Sequence, residues 1–262
     1  MISFDQSLEP LGFSSKLTGG QMARSMMLEE ITILHHALPQ DASRADYRRA
    51  IEEENILGKP TLSSRQKSYR HLIELYGLDP QFALFRVLRA IAAEDKGSMP
   101  LMAAICVYCR DPQLRASFEL LKRKNQGQEI SRVEMEEYLE QSFPERFSPA
   151  MKKSLAQNVN TTWTACGHLI GRSKKIRAYP KASYGAACYA IFAGWLYGKR
   201  GSLLLDSEFS GLLQSNPEEI IDHLRNGSLS GWLKLRSGGG VTEIDFSKLL
   251  SENELQHIHV TA

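Results

Sequence analysis

Between Glu145 and Asp206 the chain runs for sixty residues without an Asp or Glu. The same stretch carries Arg146, Lys152, Lys153, Arg172, Lys174, Lys175, Arg177, Lys181, Lys199 and Arg200. The net charge over all 262 residues is only +2, so the remainder of the chain is acidic and the total conceals a dipolar molecule. Ten cations without neighbouring carboxylates create a positive field whose natural partner is a polyanion, nucleic acid first and anionic lipid second.

Few other residues have the types and spacing for chemistry. Cys106-Val-Tyr-Cys109 is a C-x-x-C, but a zinc site needs a second ligand pair, and Cys166 stands alone with His168 two residues later. Leu101, Met102, Ile105, Val107 and Tyr108 surround the pair, which reads as part of a core helix. With Cys188, the four thiols fit buried, reduced cysteines of a cytoplasmic protein better than a disulfide framework. His168, near Cys166 and Thr164, has the letters to activate a thiol, although a packed or capping imidazole is the plainer reading. His35 and His36 are adjacent on a predicted helix and so do not share a face, and His257 and His259 alternate in a tail expected to be exposed.

The chain contains no GxxxxGK[ST], no GxGxxG after a strand, no HExxH and no GxSxG. The acid-free stretch is also the wrong place for the clustered carboxylates of a metal-dependent nuclease. The expectation is a protein that binds without catalysing and that uses no metal or cofactor. No charged region followed by an apolar one opens the chain, since Asp5 and Gln6 lie within the first eight residues, so a secreted destination is not expected.

The elements that must position these residues are mainly helical, because apolar residues return at three and four spacing. Helices are predicted over about 21–38, over 43–54 with Ser43 as cap and Asp46 in the first turn, and from a cap at Ser63 or Ser64 to a stop at Gly77. Asp79-Pro80, Ser98-Met99-Pro100 and Asp111-Pro112 start three more, and Ser131-Arg-Val-Glu134 is a capping-box pattern. A long helix is predicted over 148–170 with Gly171 at its end, and two shorter ones over 207–213 and 217–225. Segments 231–236 and 241–246 alternate around Ser237-Gly-Gly-Gly240 and predict a β-hairpin. Two prolines and a change from acidic to basic composition near Phe143–Pro149 suggest two helical domains, 1–145 and 146–262. Ala182 to Gly198 has no charge, yet its glycines and short length fit a buried helix better than a membrane span.

Two segments have the shape of nucleic-acid readers. Tyr47 to Tyr76 is a helix, a Gly-Lys-Pro break and a second helix with Ser63, Ser64, Arg65, Lys67 and Arg70 near its start, the layout of a helix-turn-helix. The acid-free stretch is the other, with Lys152 and Lys153 opening one helix and Arg172, Lys174, Lys175, Arg177 and Lys181 beyond its end. Cations at a helix start oppose its dipole, so Lys152 and Lys153 read as serving an external anion. The hairpin near Trp232 to Phe246 fits equally a winged-helix element or a cover for a core edge.

Phe13-Ser-Ser-Lys-Leu-Thr-Gly-Gly20 followed by a helix, the Glu54-Asn-Ile-Leu57 to Thr61-Leu-Ser-Ser-Arg65 junction, and Ser154-Leu-Ala-Gln-Asn-Val-Asn-Thr-Thr-Trp163 are the residues that carry a family likeness. Over about residues 12–180 the chain resembles the BrxA family, small accessory proteins of BREX phage-defence systems. The resemblance implies a helical, non-catalytic protein that binds double-stranded DNA alongside other BREX subunits, with a helix-turn-helix-like N-terminal region. By position, its Glu-Asn-x-Leu pattern falls on Glu54, Asn55 and Leu57, its Ser and Arg on Ser63 to Arg65, and its basic helix on Lys67 and Arg70. Some members carry an inner-membrane label that this composition does not support. The competing expectations are an adaptor whose basic face docks an acidic surface of another defence subunit, and an RNA binder.

Overall fold

Ser43 turns the chain into a helix because its hydroxyl accepts from the Asp46 amide while the Asp46 carboxylate accepts from the Ser43 amide. This reciprocal cap satisfies two donors that would otherwise lack partners. In the computed structural model, which describes residues 4–238 and 241–260, the same device operates at Thr61 with Ser64 and at Asn216 with Glu219. Single side-chain caps from Asp111, Ser131, Ser148 and Ser183 start four more helices.

The helices are α1 (Gly20–Ala23), α2 (Leu28–Ala37), α3 (Arg44–Arg48, continued by a π-turn over Arg49–Glu53), α4 (Leu62–Tyr76), α5 (Ala83–Glu94) and α6 (Met99–Arg110). They continue as α7 (Pro112–Lys122), α8 (Arg132–Ser142), α9 (Pro149–Ala165), α10 (Tyr184–Leu196), α11 (Pro217–Leu229) and α12 (Glu252–Val260). Strands β1 (Leu169–Ile170) and β2 (Ile176–Arg177) form one antiparallel pair, and β3 (Lys234–Gly238) and β4 (Val241–Asp245) another. The protein is therefore mainly α with a small β-hairpin, as its periodicity predicts.

Every residue of α10 from Gly185 to Leu196 is buried. An uncharged helix that is apolar all round belongs in the centre of a core, and α5, α6, α11 and the 3-10 turn Ser210–Leu213 pack around this one. Its small residues set the spacing. A Cβ on Gly185 would stand 2.9 Å from Ile91 Cγ2, and one on Gly227 of α11 would stand 2.2 Å from Cys188 Sγ. No helix among the described residues is long and apolar enough to cross a membrane. Cys106 and Cys109 lie on α6 inside this core, where burial pushes both thiols up.

The division expected near residue 145 is a change of charge within one continuous apolar core. Phe143 to Pro149 only links α8 to α9, which pack on each other, while α10 packs on α5 and α6. Across the same division, α9 holds α1: the Met26 amide donates to Thr162 Oγ1 at 2.9 Å, and Asn158 Nδ2 donates to the Gln21 and Met22 carbonyls at 3.1 Å.

Tertiary contacts override several local expectations. The helix predicted over 21–38 breaks between α1 and α2, because Met26 and Met27 are drawn into the core and Thr162 captures the backbone that a continuous helix would use. Met27 takes a left-handed φ of 51° and α2 restarts after it. The helix predicted to reach Ile170 stops at Ala165, where Gly167 at φ 88° turns the chain into β1. Thr61, not Ser63 or Ser64, caps α4. The C-terminal segment forms α12, which buries Ile258 and places Glu254 on Arg86 at 2.8 Å, while His257 is exposed as expected. The side chain of His259 lies outside the described residues.

The β3–β4 hairpin covers a core edge. Trp232, Leu233, Ile244 and Phe246 are buried, Trp232 stacks on Tyr184 at 5.3 Å, and Phe246 meets Phe192 and Trp195 edge-on. The centre of its Gly-rich turn, expected as a wing tip, lies outside the described residues.

The close approach of α11 to α10 makes Gly227 a sharp probe of this core. Gly227→Ala should lower unfolding free energy by about 1–3 kcal/mol through overpacking against Cys188. Gly211→Ala, where an added Cβ meets nothing within 4 Å, should stay within about 0.5 kcal/mol of the parent, and urea denaturation of the two variants measures the difference.

Candidate nucleic-acid interface

The α3–α4 pair is joined by a tight turn in which Asn55 and Gly58 adopt φ of 52° and 61°, and the Lys59 amide donates to Asn55 Oδ1 at 2.8 Å. Of the five residues predicted to read nucleic acid here, two have internal duties. Ser64 completes the cap with Thr61, and Arg65 Nη1 donates to the Glu52 carbonyl at 2.8 Å, tying α4 to the π-turn before it. Ser63, Lys67 and Arg70 are exposed, and neither cation has an ion pair with a described residue. Their i, i+4, i+7 spacing puts them on one stripe of the helix.

The acid-free stretch also divides. Lys152 is not waiting for an external anion: Glu140 on α8 supplies its counterion at 3.0 Å, and the ammonium holds the Glu140 carboxyl below its ordinary range. Lys174 pairs with Glu129 at 3.1 Å, with both side chains well exposed. Lys153, Arg172 and Lys181 are exposed and have no ion pair with a described residue.

Arg177 corrects the expectation most clearly, because it is 1% exposed and cannot reach a phosphate. Its guanidinium donates to the carbonyls of Leu121 at 3.2 Å, His168 at 3.0 Å and Ala178 at 2.6 Å, and to Gln214 Oε1 at 2.8 Å. Nη1 also lies 3.0 Å from His168 Nδ1, which must then accept, so the imidazole is neutral. Burial, reinforced by the Arg177 charge, lowers the His168 pKa to about 3. His168 is a packed core histidine, edge-on to Phe118 and Trp163, and not the activator of Cys166, whose thiol burial pushes to about 12. Among the described residues no group of three His, Cys, Asp or Glu could hold a metal ion.

This latch presents the basic turn between β1 and β2. Segment 127–130 borders the other side of β2, where Ile130 N donates to the Lys175 carbonyl and Arg177 N to the Gln128 carbonyl, each at 2.8 Å. Gly171 makes the turn possible: its φ is 94°, and a Cβ there would lie 2.1 Å from the Lys174 carbonyl oxygen. Lys175 Nζ folds back to the Gly171 carbonyl at 2.8 Å, and partial burial lowers its pKa.

Arg172 and Lys175 thereby line a cleft of about 430 Å³ together with Arg132 from α8, Gln157, Asn160 and Thr161 from α9, and Ser173. Of these seven residues, five were not predicted. Gln157, Asn160 and Thr161 carry a readable signal, an i, i+3, i+4 polar stripe on one helix. Arg132 was hidden inside a capping pattern on the acidic side of the composition change. Between the α4 stripe and this cleft lies α1, which packs against both α4 and α9. No protein-family model matches the chain, and no curated protein sequence is significantly similar to it.

The neutral, buried state of His168 has a pH consequence. Its folded pKa lies below the unfolded value of about 6.5, so its stabilising contribution is complete above that pH and disappears as pH falls towards 3. Urea unfolding between pH 6 and 4 should show a slope about 1.4 kcal/mol per pH unit shallower in His168→Gln than in the parent. An unchanged slope would contradict the neutral assignment.

Proposed function

We propose that this chain is a non-catalytic, double-stranded-DNA-binding accessory protein of the BrxA kind, acting in the cytoplasm with other subunits of a BREX phage-defence system. It grips the duplex mainly through phosphates, with little dependence on sequence. The observation that carries this reading is the set of exposed cations without internal counterions: Lys67 and Arg70 on the α4 stripe, and Lys153, Arg172 and Lys181 around α9 and the β1–β2 turn. Lys174 and Lys175 add to the second group. Exposed Lys–Glu pairs contribute about 0–1 kcal/mol, so Lys174 exchanges Glu129 for a phosphate at small cost. Ser63, beside Lys67 on the stripe, has a hydroxyl available to a phosphate or base edge.

A protein-docking adaptor is the second reading, and two residues favour it. Ile170 and Tyr179, which flank the basic hairpin, are 55% and 45% exposed, and apolar side chains among cations suit an acidic protein surface. Pull-down after exhaustive nuclease treatment separates the readings, because a DNA bridge is lost and a protein contact is kept.

Neutralising about four to six phosphates should make log affinity fall against log salt with a slope of roughly −4 to −5. In an anisotropy titration, Lys67→Gln with Arg70→Gln should reduce that slope by roughly 2, and Arg172→Gln with Lys181→Gln by a similar amount. Mg²⁺ should leave the DNA intact. Absence of duplex binding at low salt would overturn the proposal.

A further inference from the structure

The cleft beneath the β1–β2 turn is built differently from the exposed stripe on α4. Its cations come from two places far apart in the chain, Arg132 at the start of α8 and Arg172 and Lys175 at the ends of one turn. Arg132 already has a counterion in Glu136, one helical turn along, which leaves Arg172 and Lys175 as two positive charges facing a common space. The turn that carries both is fixed by Gly171 and by the buried Arg177 behind it, so the backbone from which they project is set before any ligand arrives. A volume of about 430 Å³ is that of a small-ligand site.

The α9 wall supplies neutral groups: the amides of Gln157 and Asn160 and the hydroxyl of Thr161, with Ser173 on the turn. Asn160 is 3% exposed, and its Oδ1 is buried without a hydrogen-bond partner. Leaving such a group unpaired costs about 1–3 kcal/mol, and a donor from a ligand removes that cost. Two cations without counterions match a dianion, whereas a duplex phosphodiester carries a single charge. The unpaired acceptor calls for a hydroxyl or amino donor, which in a phosphomonoester held by the two cations comes from its organic part.

From these features we infer that the cleft binds a small phosphomonoester of mononucleotide size, with the phosphate on Arg172 and Lys175 and the organic part along Gln157, Asn160 and Thr161. The inference does not depend on duplex binding, although the two activities would compete for Arg172 and Lys175.

Isothermal titration of the full chain tests it, using adenosine, guanosine, cytidine and uridine 5′-monophosphates, their nucleosides and inorganic phosphate. At least one monophosphate should bind at a single saturable site, ten-fold or more tighter than both inorganic phosphate and its own nucleoside. Arg172→Gln should weaken that affinity at least ten-fold and Gln157→Ala about three-fold. Both residues are exposed, and circular dichroism should report an unchanged fold. The inference fails if no monophosphate binds, if inorganic phosphate binds as tightly as the nucleotides, or if both folded variants retain the parent affinity. None of these outcomes bears on duplex affinity, which the salt titration measures separately.

Discussion

The guanidinium of Arg177 is the contact on which this half of the molecule depends. Removing a cation from water costs several kcal/mol unless its donors are satisfied. Here the compensation comes from backbone carbonyls and one amide rather than from a carboxylate. Those acceptors belong to the end of α7, the residue before β1, the residue after β2 and the loop before α11. One side chain therefore joins four segments and fixes the turn that carries Arg172, Lys174 and Lys175.

The same device recurs elsewhere. Arg89 donates to the Leu38 and Pro39 carbonyls, each at 2.6 Å, and Arg115 donates to the Tyr108 and Ser14 carbonyls at 2.7 and 2.9 Å while lying over Phe4. The planar, five-donor arginine head suits this collecting role better than a lysine ammonium. Absence of acids in sequence is also not absence in space: Glu140 and Glu129 reach Lys152 and Lys174 from outside the acid-free stretch. Arg200 lies over Trp195 and donates to its carbonyl. The positive field is consequently narrower than the ten cations suggest, and it concentrates on Arg146, Lys153, Arg172, Lys175 and Lys181.

What the sequence made legible was local. Ser43 with Asp46, Asp111 before Pro112, Gly77 as a helix stop and the alternation around 234–245 are signals complete within a few residues, and each appears in the structure. The misses are contacts between distant residues. Met26 meets Thr162 across 136 positions, Arg177 meets Leu121 across 56, and no periodicity records either. The segment Ser154 to Trp163 has a physical explanation of its own, because Asn158 and Thr162 hold α1 and Trp163 Nε1 donates to Ser117 Oγ at 2.8 Å. The Thr61–Arg65 junction likewise supplies a cap and a tie to α3. Both segments position the two basic surfaces.

Arg177→Lys isolates the central claim, since it keeps the charge and removes the fork. If Arg177 is a latch, the variant loses more than about 2 kcal/mol of unfolding free energy through unpaired buried carbonyls. The amides of Gly127, Ile130 and Ala178, which pair around the hairpin, should then exchange faster with solvent. A variant with parental urea midpoint and exchange rates but lost duplex affinity would contradict the account, because Arg177 would then be a surface phosphate contact.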